Sequence, residues 1–263
     1  MTRTGPFAVV CVVLLGATAA FLAAPVIGIL SDVAPGDIAD GLRDPAARDA
    51  LRLSLTTSLG AVALIVVFGT PAAWLLATRR FRGRGLLVTL VELPLVLPPA
   101  VAGIGLLAAL GPRGIGGTLD DAGIRLYLQT AGVVVALTFV ASPFYIRQAI
   151  AGFAAVDSTL LGASRALGAG EARTFLRIGV PLARHALGAG AALALGRALG
   201  EFGATLLFAG SLRGVTQTAP LAIYERFATS FTSALSLSVV LIAASIAILV
   251  VTRLLTRSDD APA

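Results

Sequence analysis

Six stretches of this chain are long and apolar enough for a helix to cross a bilayer, and that fixes the solvent in which most of it folds. A hydrocarbon core near 30 Å takes about 20 helical residues. The sequence predicts spans over about 7–30, 53–78, 86–110, 127–146, 186–209 and 231–252. Of 263 residues 57% are hydrophobic and 13% charged, about half the charge a soluble surface carries. Lipid offers the backbone no hydrogen-bond partner, so the spans are read as helices that satisfy themselves. The fold class is therefore all-α integral membrane protein, one transmembrane domain over 1–263 with its core at about 53–252. The first stretch exceeds the apolar core of a signal peptide, about 7–15 residues, and is read as a retained helix.

All 20 basic residues are arginine, and the net charge is +6. A phosphate-binding P-loop needs a lysine, so the chain carries no such site and any nucleotide hydrolysis belongs to another polypeptide. The arginines sit in short loops between apolar runs, which argues against nucleic acid. With the N-terminus inside, twelve arginines fall on the inner side, among them Arg3, Arg79, Arg80, Arg82, Arg84 and Arg257. Seven fall outside: Arg43, Arg48, Arg52, Arg113, Arg125, Arg213 and Arg226. Inner loops are the arginine-rich ones, so both termini are expected in the cytoplasm. The last residues, from Arg257, read as a disordered tail. Cys11 is a lone cysteine, which excludes an intramolecular disulfide. His185 is a lone histidine, and a zinc site wants three or four ligands; no metal site is expected.

Residues 157–181, DSTLLGASRALGAGEARTFLRIGVP, form a polar island between the fourth and fifth spans, on the cytoplasmic side. Asp157 is placed to cap a helix over about 158–167, Gly168-Ala169-Gly170 to end it, and a second helix to run over about 171–178 towards Pro181. The result is a compact knob. Gly162, Ala163 and Ala166 would let a partner approach the backbone, while Leu160, Leu161 and Leu167 would fill its groove.

Ala163-Ser164-Arg165-Ala166-Leu167-Gly168-Ala169, followed by Ile178-Gly179-Val180-Pro181, resembles the "EAA" loop of ABC importer membrane subunits. Gly162 stands where that family has glutamate, Ser164 replaces an alanine and Val180 a leucine; the glycine, isoleucine and proline spacing is kept. Two further segments, RALGEFGAT at 197–205 and TQTAPLAIY at 216–224, resemble the molybdate permease subunits of those importers, with the sulfate permeases sharing part of the pattern. Pro94, Pro98 and Pro99, in ELPLVLPPAVAGIG at 92–105, fit the same group. The resemblance implies a type I importer fold with Leu161, Gly162, Ala163, Ser164, Leu167, Gly168, Ile178 and Pro181 forming the loop that couples to an ATPase. It implies a homodimer in the bacterial cytoplasmic membrane, two cytoplasmic ABC ATPase subunits carrying the ATP–Mg, and an extracytoplasmic molybdate-binding protein. The chain itself is expected to bind no cofactor and to catalyse no reaction. A sulfate or thiosulfate permease is the nearest alternative. An ion-driven secondary transporter and a scaffold without cargo stand further off.

Arg197 and Glu201 lie four residues apart within the predicted fifth span, on one helical face. An unpaired charge at that depth costs about 2.5–3.5 kcal/mol. They are read either as a structural ion pair or as part of a gate along the pathway, with Thr205, Gln217 and Thr218 as further polar candidates. Ala192, Gly196, Gly200 and Ala204 repeat every four residues, a spacing that suits close helix packing. Pro94, Pro98 and Pro99 are expected to break regular helix in the third span. For Thr138, Ser142, Thr205, Gln217 and Thr218, each taken singly, a local backbone bond is the plainer expectation.

Overall fold

In the computed structural model residues 6–256 are described, and they run almost wholly as helix. In chain order these are α1 (Pro6–Ser31), α2 (Pro35–Arg43), α3 (Pro45–Thr78), α4 (Arg84–Val96), α5 (Pro99–Leu110), α6 (Ile115–Asp121) and α7 (Thr130–Ala154). There follow α8 (Ser158–Ala166), α9 (Glu171–Thr174), a π-helical turn (Phe175–Gly179), α10 (Val180–Leu199), α11 (Gly203–Ala209), α12 (Ala219–Phe227) and α13 (Phe231–Thr256). Five helical segments are long and apolar enough to cross a membrane, and a sixth crossing arises if the bent pair α4–α5 counts as one. The predicted disordered tail from Arg257, and Arg3, lie outside the described residues.

The centre of the bundle is α7, packed along both α3 and α10. It buries Val133, Leu137, Ala141, Tyr145, Ala149 and Phe153, a ridge repeating every four residues of the kind that interdigitates between helices. The Tyr145 hydroxyl meets Thr70 Oγ1 of α3 at 2.6 Å, so the one phenol in this seam is not left unsatisfied. Helix α3 begins earlier than its hydropathy suggests, because Asp44 accepts from the Ala46 backbone N–H at 3.1 Å and Pro45 occupies the first turn. Ser54 of α3 accepts from the Ala219 N–H, and Trp74 stacks near Phe153 and Phe175 at the far end. The stretch from Ser54 to Trp74 measures about 30 Å at 1.5 Å per residue, one hydrocarbon thickness. By contrast α1 is largely exposed along its length and leans on α13.

Two predicted spans are not continuous helices. The third bends by 118° between α4 and α5, where consecutive Pro98 and Pro99 remove two N–H donors; Pro94, also expected to break it, sits inside α4 without ending the helix. The fifth does not run to residue 209 as one helix: α10 ends at Leu199, residues 200–202 are irregular, and α11 follows as a separate helix of about two turns. The two breaks pack on each other. A Cβ added at Gly103 of α5 would lie 2.9 Å from the Ala204 carbonyl oxygen, and one at Gly203 would lie 2.9 Å from Pro99. Glycine is needed for that approach, which brings the two interrupted backbones into contact.

The four-residue repeat in α10 is used differently from expectation. Ala204 is buried against α5, but Gly196 has open space around it and Gly200 is exposed. The neighbouring row Gly190, Ala194 and Ala198 packs into the bundle instead. At the polar island, α9 does not stop before Pro181. Helix continues from Glu171 to Leu199 by way of the π turn, in which the Val180 N–H reaches Phe175 O. A proline in an α-helix clashes with the carbonyl four residues back; the wide turn places Pro181 without ending the helix.

Gly103→Val is expected to lower thermal stability, by about 1–3 kcal/mol for an overpacked seam. Gly105→Val, with open space around it, leaves the melting temperature of the detergent-purified protein unchanged.

Candidate functional site

At the end of the bundle marked by Trp74, the island folds as a knob on a small footing. Asp157 caps α8, accepting from the Thr159 N–H at 2.8 Å. That bond, joined by one from the Thr159 side chain, holds the exposed Asp157 carboxyl below its usual range. A depressed carboxylate pKa contributes stability above the unfolded value near 4 and loses it as pH falls through the folded value, so the cap is intact throughout the neutral range. Gly168, at φ +80°, closes the helix in the left-handed conformation expected of it.

Only two side chains of α8 are buried, Leu161 and Ser164. Leu161 joins the packed cluster of Trp74, Phe153 and Ala183, and Ser164 shares a 2.9 Å hydrogen bond with Thr174. Leu161 was expected to fill a partner's groove; the structure turns it inward, and Ser164 with it. Leu167, 88% exposed, and Leu160, 48% exposed, are the apolar groups left outward. Gly162 and Ala163 lie beside them on the open face. Ile178 is partly buried and packs against the same cluster as Leu161. The loop therefore presents two leucines on a short helix whose inner face is pinned.

The second polar site lies at the break between α10 and α11. Arg197 Nη2 is 2.6 Å from Glu201 Oε2, with the glutamate side chain 1% exposed and the arginine 27%. The other carboxylate oxygen accepts from the Ala204 N–H at 2.7 Å. Glu201 thus fixes Arg197 and at once satisfies an orphan donor in the first turn of α11. Nearby in sequence, the Gln217 amide donates to Glu225 and lies 3.3 Å from Ser211 Oγ. Glu225 also pairs with Arg213, which holds the carboxyl below its usual range, and Arg226 pairs with Asp44. This outer network stands at the Ser54 end of α3, away from the knob. Thr138 and Ser142 bond to backbone carbonyls within their own helix, as expected. Thr205 and Thr218 do not; their hydroxyls are buried with no protein partner, as is that of Ser58.

A family model described as "Binding-protein-dependent transport system inner membrane component" matches residues 47–259. The chain belongs to this family. It is thus a multi-pass inner-membrane component of a transport system. Among its relatives, the molybdenum transport system permease protein ModB of Mycobacterium tuberculosis is 43% identical over 201 residues, 75% of each chain. ModB of Escherichia coli K12 is 41% identical over 182 residues, 68% of this chain and 80% of that one. The sulfate transport system permease protein CysW of Synechococcus elongatus is 34% identical over 202 residues, 74% and 71% of the two chains. In fold the chain resembles the bacterial importer of the polysaccharide alginate, with TM-score 0.66, 18% identity, and 98% and 99% of the two chains covered. The methionine ABC transporter MetNI gives TM-score 0.61 at 20% identity, covering 80% and 94%.

Of the site residues expected from sequence, the permease brings Arg197, Glu201 and Ala204 together at one break, and it sets Gln217 in the outer network. Glu92, an acid within the third span, pairs with Arg147 of α7 at 3.3 Å. Glu171 carries more contacts than its place in the sequence suggests: it pairs with both Arg79 and Arg165.

Removing either member of the Arg197–Glu201 pair leaves a poorly hydrated charge behind, at a cost of about 3–5 kcal/mol. Arg197→Ala and Glu201→Ala are each expected to lower the melting temperature strongly. The double variant loses less than the sum, and a thermal double-mutant cycle checks it.

Proposed function

We propose that the chain is the membrane-spanning subunit of an ATP-driven importer that passes molybdate, or tungstate, into the cytoplasm. The observation that carries the substrate is the 41–43% identity to molybdenum permeases, against 34% to a sulfate permease. A sulfate or thiosulfate permease is the alternative that this second similarity supports. The chain acts as a single transmembrane domain and makes and breaks no covalent bond.

In this reading two copies flank a central pathway and each receives an ATPase subunit at its knob, with both termini and the knob in the cytoplasm. ATP and Mg are held by the ATPase, and a binding protein delivers the anion at the opposite face. Leu160 and Leu167 supply the apolar contact, while Gly162 and Ala163 admit the ATPase surface. Leu161, Ser164, Gly168, Ile178 and Pro181 hold the knob in shape. The partly exposed Arg197 and the open flank at Gly196 support a second copy or a water-filled path beside α10, since lipid accepts neither an ion nor a bare backbone at low cost. Arg197 is then a pathway group whose charge Glu201 moderates, and the unpartnered Thr205 and Thr218 hydroxyls are donors along the same route. Gln217 stabilises the outer entrance through Glu225.

Deleting 158–168 is expected to abolish co-purification of the ATPase. An ion-driven transporter would instead move anion in liposomes containing no ATPase. Labelled molybdate uptake in a deletion strain carrying this chain should survive excess sulfate. Suppression of uptake by sulfate would move the assignment to the sulfate permeases.

A further inference from the structure

The knob's footing and the three-way contact at Glu171 assign that residue a task the loop motif does not include. Glu171 opens the helix that runs through the π turn into α10. Its Oε1 lies 2.8 Å from Arg79 Nη2 and 2.9 Å from Arg165 Nε. Arg79 is the C-cap of α3, and Arg165 is in the last turn of α8. One carboxylate oxygen therefore ties together the inner end of α3, the coupling helix and the root of α10.

Beyond this tie, the side chains that α8 buries in the bundle are Leu161 and Ser164. Both lie on one stripe of a nine-residue helix, and a single stripe leaves rocking about its own axis unopposed. Arg165 stands on the exposed side of α8 and Glu171 holds it from across the Gly168 turn, which opposes that rotation. All three side chains are between 41% and 51% exposed, and exposed pairs add little to folding stability. The arrangement fits load transfer between elements better than it fits cohesion of the fold.

We infer that Glu171 is a positioning residue for energy coupling: it locks α8 to α3 and α10 so that displacement of the knob by the ATPase moves both spans together. This rests on the importer reading above. The test uses the full complex, purified with its own ATPase and binding protein and reconstituted in liposomes, with molybdate uptake and ATP hydrolysis measured in the same vesicles. Glu171→Gln is expected to keep assembly, melting temperature and basal hydrolysis, while anion moved per ATP falls at least about fivefold, the lower end of ordinary coupling effects. Arg79→Gln is expected to reproduce that loss, and Arg80→Gln, outside the contact, to behave as wild type. An unchanged uptake-to-hydrolysis ratio in Glu171→Gln overturns the inference, as does loss of ATPase binding or of melting temperature in step with uptake. If the wild-type complex itself moves no anion with ATP, the importer reading falls rather than the role of Glu171.

Discussion

Hydrocarbon supplies neither a donor nor an acceptor, and the architecture follows from where this chain can afford to interrupt a helix. Both interruptions, Leu97–Pro98 in the third span and residues 200–202 in the fifth, are placed against one another. Gly103 and Gly203 let the two broken segments pack closely on one another. The same region collects the ion pair of Arg197 and Glu201. Glu201 serves two needs with two oxygens, since one holds the guanidinium and the other takes the orphan N–H of Ala204. An ion pair and a helix start are thereby served at one locus between the broken helices.

A different design governs the Trp74 end of the bundle. An aromatic group of Trp74, Phe153 and Phe175, with ring centroids 5.3–6.1 Å apart, forms the floor under α8. Each such contact is worth about 0.5–1.5 kcal/mol beyond the area it buries. The three rings come from α3, α7 and the π turn that leads into α10, so α8 stands over the junction of three spans and not over any one of them.

Much of this was legible in the residues. Length and apolarity located the spans, because the bilayer imposes one thickness on all of them. Pro98 and Pro99 announced the first break, and Gly168 the end of α8. The second break was hidden, since Leu199 to Ala209 stays apolar apart from Glu201 and contains no proline. The available signal was two glycines, Gly200 and Gly203, bracketing an acid at membrane depth. Which of two adjacent leucines faces inward was also not readable: Leu160 and Leu161 differ by about 100° on the helix, and only the position of Trp74, far off in sequence, decides between them. The island's second helix was expected to end near Ile178, ahead of Pro181; the π turn that carries it on into α10 is a tertiary compromise with no signature of its own. The packing row in α10 was misplaced by two residues, since small residues occupy two parallel rows and composition cannot rank them.

The uninterrupted helix from Glu171 to Leu199 has a mechanical corollary. At 1.5 Å per residue it is about 43 Å long, with α8 attached at one extremity and the Arg197–Glu201 pair at the other. A tilt of only about 5° swings the far extremity by roughly 4 Å over that length. That exceeds the reach of a hydrogen bond, so a small lever stroke at the α8 extremity is enough to make or sever contacts at the opposite one.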